Sequence, residues 1–174
     1  MMDETKDLPD SLFLVAVEDM AGGEAQVTLS FSRSPTVLLT FAANRFTRSA
    51  ARYYREHFGI GAMDWRMLVM LTREPGSSVS HAARIIGIDK AAVSRCLRRL
   101  EKDGLAAPGD GVRRRDWFLT PEGHALHAKV LEVALERQRM LLAGLSEKDV
   151  QRFNRYLSQF LENLEKLNGE DRGG

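Results

Sequence analysis

The stretch from Ser78 to Thr120 constrains this chain most, because it changes period twice and is punctuated at each change. Ser78 to Ile86 reads as a short helix with Ser78 as N-cap and Ala82, Ala83 and Ile86 on one face. Gly87 and Ile88 break it, since glycine accepts the left-handed backbone that a sharp turn needs. Asp89 caps a second helix, in which Val93, Cys96, Leu97 and Leu100 recur at the 3–4 spacing of a buried stripe. Gly104 ends that helix as a C′ glycine. Its other side carries Lys90, Arg95, Arg98, Arg99 and Lys102. Two strand-like runs follow, near Leu105–Ala107 and Trp117–Leu119, around a Gly- and Arg-rich tip from Gly109 to Arg115. A helix-turn-helix with a basic second helix, followed by a basic hairpin, is the winged form of that motif.

The rest of the chain frames this unit. At 174 residues it suits one domain with extensions. Met1 to Asp10 is acidic and expected to be disordered, and Ser11 to Met20 is a short helix or an extended arm. Ala25 to Phe31 alternates weakly, as a short strand would. A long helix is predicted from about Thr36 to His57, with Val37, Leu38, Phe41, Phe46, Ala50 and Tyr53 on an apolar side and Arg45, Arg48, Arg52 and Arg55 on a basic one. Gly59 and Gly61 bracket a break. A buried helix is then expected from Ala62 to Arg73, stopped by Pro75 and Gly76. Thr120 and Pro121 mark a strong helix start, running to about Ala143. Gly123 is a poor helix former there, so a packing reason is expected. After Gly144, Ser146 and Asp149 form a capping-box pattern. Val150, Phe153, Leu157, Phe160, Leu164 and Leu167 then make a narrow apolar seam. Asn168 to Gly174 is a polar tail. The fold class is mainly α: five main helices, a short one and a small β-wing.

Charge is partitioned, although the formal net charge is only +1. From Arg84 to Arg115 nine Lys/Arg face four Asp/Glu, whereas Met1 to Gln26 holds seven acids against Lys6. One concentrated basic region fits a local polyanion site. No apolar run approaches the length of a membrane span, and no secretory signal pattern opens the chain. The single cysteine suits a reducing cytoplasm. No nucleophile motif, paired-carboxylate signature, phosphate loop or dinucleotide fingerprint is present, which argues against catalysis.

Four places resemble the MarR family of bacterial transcription regulators. They are Asp64-Trp65-Arg66-Met67-Leu68 before the Pro-Gly stop; the helix-turn-helix; Leu100-Glu101-Lys102-Asp103-Gly104-Leu105; and Leu119-Thr120-Pro121-Glu122-Gly123. The resemblance covers about Pro35 to Leu167. It implies a homodimer whose terminal helices (35–61 and 121–168) form a dimerisation region, with 62–120 as the DNA-binding lobe on a palindromic double-stranded operator. It also implies a repressor that responds to a small, often anionic aromatic effector, with no other cofactor. Two departures stand out. Asp110 and Arg113 are one residue too far apart for the family's Asp-x-Arg wing pattern, and Gly61 stands where the family often has a Thr or Ser cap. The extension 1–34 lies outside the resemblance.

Candidate residues follow from position. Lys90, Ala91, Ser94 and Arg95 lie in the half of the second helix that meets base edges in such motifs, and Arg is suited to guanine. Arg98 and Arg99 are expected on phosphates, and Arg113, Arg114 and Arg115 on the minor groove or backbone. Solubilising charge is the alternative for all of these, as in a winged-helix module that contacts protein only. Phe46, Tyr53, Trp65 and Met67, with Arg52 or His57 as anion anchor, either line an effector pocket or are ordinary core. Cys96 is a redox sensor or, on the buried side, a small hydrophobe. His124 and His127 supply two ligands where a zinc site wants four, so no metal is assigned.

Overall fold

The computed structural model describes residues 8–18, 22–110 and 116–170. The chain divides into two compact units, Met1–His127 and Ala128–Gly174. The first unit holds the first long helix and the helix-turn-helix.

The described part of the first unit opens with a 3-10 turn, Asp10–Leu12, and a hairpin of β1 (Leu14–Val17) and β2 (Gln26–Leu29), antiparallel with Leu14 opposite Leu29. Within the Ser11–Met20 segment Leu14–Val17 is strand, paired with Gln26–Leu29 of the alternating Ala25–Phe31 run. Helix α1 spans Pro35–Phe58, and α2 spans Ala62–Arg73. Met67, Leu68, Met70 and Leu71 of α2 are buried, as its apolar sequence requires. The α1 face that packs on α2 carries Ala50 and Tyr54. It is not the predicted Phe46/Tyr53 side: Phe46 is 46% exposed, and Leu38 and Phe41 are also exposed.

Helix α3 (Val79–Ile86) and helix α4 (Lys90–Lys102) form the helix-turn-helix. Ser78 Oγ accepts the His81 N–H at 3.2 Å, and Asp89 Oδ1 accepts the Ala92 N–H at 2.8 Å, so each helix is capped by its predicted residue. Gly87 has φ +76° and Gly104 φ +70°, the backbone the turn and the helix exit need. Val93, Cys96, Leu97 and Leu100 are buried, completing the core with Ala82 and Ala83. The wing is a three-stranded sheet in the order β3 (Ser77–Ser78), β5 (Asp116–Leu119), β4 (Ala106–Pro108), all antiparallel. The third strand, β3, was not expected from sequence; its two residues carry too little pattern to read.

Helix α5 spans Pro121–Leu141. Thr120 Oγ1 accepts the Gly123 N–H at 3.0 Å and donates to Gly104 O at 2.7 Å, while Thr120 N–H donates to Leu105 O at 3.1 Å. This stitches the start of α5 to the exit of α4. A Cβ on Gly123 would stand 2.0 Å from Leu105 O, which is the packing reason for glycine in a helical turn.

The second unit holds the rest of α5 and helix α6 (Glu147–Glu170). Asp149 N–H donates to Ser146 Oγ at 3.2 Å, and Ser146 N–H donates to Asp149 Oδ2 at 3.1 Å, the reciprocal capping box. The Ser146 bonds hold the Asp149 carboxyl below its ordinary value. Phe153, Leu164 and Leu167 of the α6 seam remain exposed in the single chain, as do Tyr156 and Leu161.

Candidate nucleic-acid interface

The interface is set by which side of α4 the core claims. At 3.6 residues per turn, Ala91, Arg95, Arg98 and Lys102 lie roughly opposite the Val93/Leu97/Leu100 stripe. All four are exposed. Lys90 is exposed and Ser94 half-buried on one flank. Among the described residues, Arg95 and Arg98 carry no ion pair. Their guanidiniums are available to an incoming anion.

Arg99 is different, and its expected phosphate contact needs correcting. It stands roughly 60° from Cys96 around the helix, on the other flank of the buried stripe. Its Nε donates to Asp64 Oδ1 at 3.0 Å, and its Nη2 donates to the same oxygen. The pair raises the Arg99 pKa further and locks α4 to α2. Asp64 is buried and also accepts the Gly61 N–H through Oδ2 at 2.8 Å. The carboxylate at the third residue of α2 thus supplies half of a capping box that Gly61, lacking a side chain, leaves open. Sequence reading quoted Asp64 only as part of a signature. The overlooked signal was a lone acid inside an otherwise apolar helix, which must find a cation or donors.

Cys96 takes the buried-hydrophobe reading. Its Sγ lies 3.2 Å from Asp64 Oδ1, in bonding distance as a donor. Burial first, then the Asp64 carboxylate, push the thiol up to about 12, the opposite of what a reactive thiolate needs.

The hairpin that carries the wing tip closes with Gly109 N–H donating to Asp116 O at 2.8 Å. Arg113, Arg114 and Arg115 lie outside the described residues.

The six candidate effector residues do not converge on one cavity lining. Met67 is fully buried in the α2 core, so it cannot meet a ligand without repacking. Tyr53 and His57 stack on each other at 4.0 Å along α1, with His57 Nδ1 2.9 Å from Tyr53 O. Phe46 and Arg52 are exposed. Trp65 instead meets Tyr54 at 6.0 Å and stacks on His127 at 5.2 Å. Burial there, and then His124, lower the His127 pKa. A cleft of about 330 Å³ is lined by Glu74, Pro75, Gly76, Ser77, Ser78, His81 and Asp116, none of them among the six.

Residues 58–115 match the sequence model of the MarR family. The chain is 27% identical over 146 residues to the HTH-type transcriptional regulator PetP of Rhodobacter capsulatus, covering 81% of this chain and 87% of that one. The crystal structure of a MarR/EmrR family transcriptional regulator from Acinetobacter sp. ADP1 is similar, with a TM-score of 0.73, 26% identity and coverage of 79% of this chain and 99% of that one. A Mycobacterium tuberculosis MarR family protein solved in complex with DNA is similar with a TM-score of 0.57 and 25% identity, over 73% of this chain and 98% of that one.

Proposed function

We propose that this chain, which is similar to the MarR family over residues 58–115, is a MarR-type, dimeric, double-stranded-DNA-binding transcriptional regulator. The observation that carries this reading is the outward face of α4. Arg95 and Arg98 are exposed there, without ion pairs among the described residues, on a helix capped at Asp89 and fixed from behind by Asp64–Arg99. The naming of PetP as a transcriptional regulator and the DNA complex of the M. tuberculosis protein support it. In this reading Arg95 reaches a base edge, with Lys90, Ala91 and Ser94 beside it, and Arg98 holds phosphate. Arg113, Arg114 and Arg115 at the wing tip meet the minor groove or flanking backbone.

The exposed apolar seam of α6 supports a homodimer, and a two-fold dimer calls for a palindromic operator. A repressor released by a small anionic aromatic effector is the finer proposal. The Tyr54–Trp65–His127 aromatic row supports it, with His57 and Arg52 on the neighbouring face of α1. The test is a titration with random duplex at two salt concentrations. The expected result is binding at low salt whose log affinity falls by about 0.9 per log unit of salt for each phosphate contact. Indifference to duplex at low salt would overturn the reading in favour of a protein-interaction module.

A further inference from the structure

Three linked side chains of the helix-turn-helix lie outside the face of α4 described above. Glu74, the residue that ends α2, meets His81 of α3, with His81 Nε2 2.5 Å from Glu74 Oε2. On the other side of the same ring, Arg84 Nη2 lies 3.1 Å from His81 Nδ1. A guanidinium only donates, so Nδ1 accepts, and the ring's one proton sits on Nε2 and is donated to Glu74. The imidazole in this arrangement is neutral. Local structure fixes the ends. Ser77 Oγ donates to Glu74 O at 2.7 Å, holding the connection between α2 and α3, and the His81 N–H is the one that Ser78 caps. His81 and Arg84, three residues apart on one helix, are neighbours on its surface. The His81 bond, before any other cause, holds the Glu74 carboxyl below its ordinary value.

Arg84 looks outward. Helix α3 buries Ala82 and Ala83, and Arg84 stands about 150° around the helix from the middle of that side. It is exposed, and among the described residues it has no ion pair. Its bond to His81 uses one of the five N–H donors of the guanidinium. The remaining donors can meet an anion in the two-point geometry that suits phosphate. In a helix-turn-helix the first helix crosses the nucleic-acid backbone while the second enters the groove, and α3 is that first helix. A free arginine loses rotamer freedom when it meets a phosphate; a guanidinium already held by His81 loses less.

We propose that Arg84 is a further phosphate-holding residue of the DNA interface, and that Glu74 and His81 are positioning residues that aim its guanidinium. This rests on the DNA-binding reading above. Neutral His81 offers Nδ1 to Arg84; protonated His81 carries an N–H on both nitrogens and turns a positive ring toward the guanidinium. The charged groups around the ring are Glu74, Arg84 and Asp116 of β5, which lines the same cleft as His81, with Arg73 Nε 3.9 Å from the other Glu74 oxygen. The hold on Arg84 is lost as pH falls through the range in which histidine charges, about pH 8 to 5.

The experiment has two arms. The first needs no DNA and follows the Arg84 Nε–Hε NMR signal of the full chain from about pH 8 to about pH 5. The signal is expected to move with the His81 ring in the wild type and to stay in place in H81N, whose amide oxygen accepts from Arg84 at either pH. A signal that does not move, or that moves equally in both proteins, overturns the positioning role. The second arm titrates a random-sequence duplex at about pH 8, where histidine is neutral. The wild type should lose about 3.5-fold more affinity than R84A for each four-fold rise in salt, the share of one phosphate contact. H81A should bind more weakly than the wild type at fixed salt, and H81N should restore what H81A loses. A salt slope for R84A equal to that of the wild type, or H81N as weak as H81A, overturns this proposal while the DNA-binding reading stands. A wild type that ignores duplex at low salt overturns both.

Discussion

Asp64 and Arg99, 35 residues apart in sequence, share one oxygen: Oδ1 accepts both Nε at 3.0 Å and Nη2 of the guanidinium. The two partners differ in exposure, 7% for the Asp64 side chain and 49% for that of Arg99. That asymmetry decides what each deletion does. Arg99→Ala strands a buried carboxylate and should cost ~3–5 kcal/mol. Asp64→Ala leaves a guanidinium that water can hydrate, so the loss is closer to that of its hydrogen bonds, ~1–3 kcal/mol. Urea unfolding of the two variants checks the order; a larger loss for Asp64→Ala would show that desolvation of the carboxylate is not the governing effect.

Cys96 gives a pH prediction. Its folded pKa, about 12, lies above the ordinary thiol value, so the folded state holds the proton more tightly. The contribution is fully present below about pH 8.5 and is lost as pH rises toward the folded value, by about 1.36 kcal/mol per pH unit at most. Thermal unfolding of the wild type should therefore fall more steeply with pH on the alkaline side than that of Cys96→Ala. The same burial predicts that alkylating agents label Cys96 only after unfolding. Rapid labelling of the native protein at neutral pH would contradict both expectations.

Gly123 and Gly169 form a matched pair. Alanine is the better helix former by about 1 kcal/mol at either position. At Gly169 an added Cβ meets nothing within 4 Å, so Gly169→Ala should stabilise slightly. At Gly123 it collides with the Leu105 carbonyl, which is backbone and cannot rotate away. Gly123→Ala should then destabilise by ~1–3 kcal/mol, as overpacked sites do. Thermal melts of the two variants moving in the same direction would refute the packing argument.

What the sequence reveals depends on how strongly each position is punctuated. The helix-turn-helix was legible because Ser78, Gly87, Asp89 and Gly104 each have one physical job, and the structure gives each that job. The α1 face was not legible. Apolar and basic residues both recur around that helix, and the contact with α2 is made by Ala50 and Tyr54, too small a signal beside Phe41 and Phe46. Arg99 was misjudged because Arg95, Arg98 and Arg99 look alike in sequence. Only Asp64, distant along the chain, separates the one that points inward.

The α6 seam predicts an assembly. Phe153, Leu164 and Leu167 of the seam stay exposed in the single chain, as do Tyr156 and Leu161 beside them. Burying a carboxylate within such a seam costs several kcal/mol. Leu157→Asp or Phe160→Asp should therefore dissociate the homodimer or unfold the chain. Sedimentation of the wild type as a stable folded monomer at micromolar concentration would remove the dimer from the proposed function.

The final prediction separates reading bases from holding backbone. Arg95 lies on the outward face of α4, in its first two turns, and among the described residues it has no ion pair. A guanidinium there that bonds a guanine should, when lost, cost ~1–3 kcal/mol on the best operator and relax preference at one base pair per half-site. If Arg98, further along the helix, holds phosphate, its change to alanine should weaken operator and random duplex alike and flatten the salt slope by about 0.9. The wing substitutions Arg113→Ala and Arg114→Ala should behave as Arg98→Ala does if they hold backbone. If one of them reads a narrow minor groove, its loss should instead matter most where the flanking sequence is A/T-rich. Titrating each variant against operator and random duplex, each at two salt concentrations, resolves the roles. If Arg95→Ala weakens both duplexes equally, Arg95 holds phosphate and the base-reading role passes to Lys90 or Ser94.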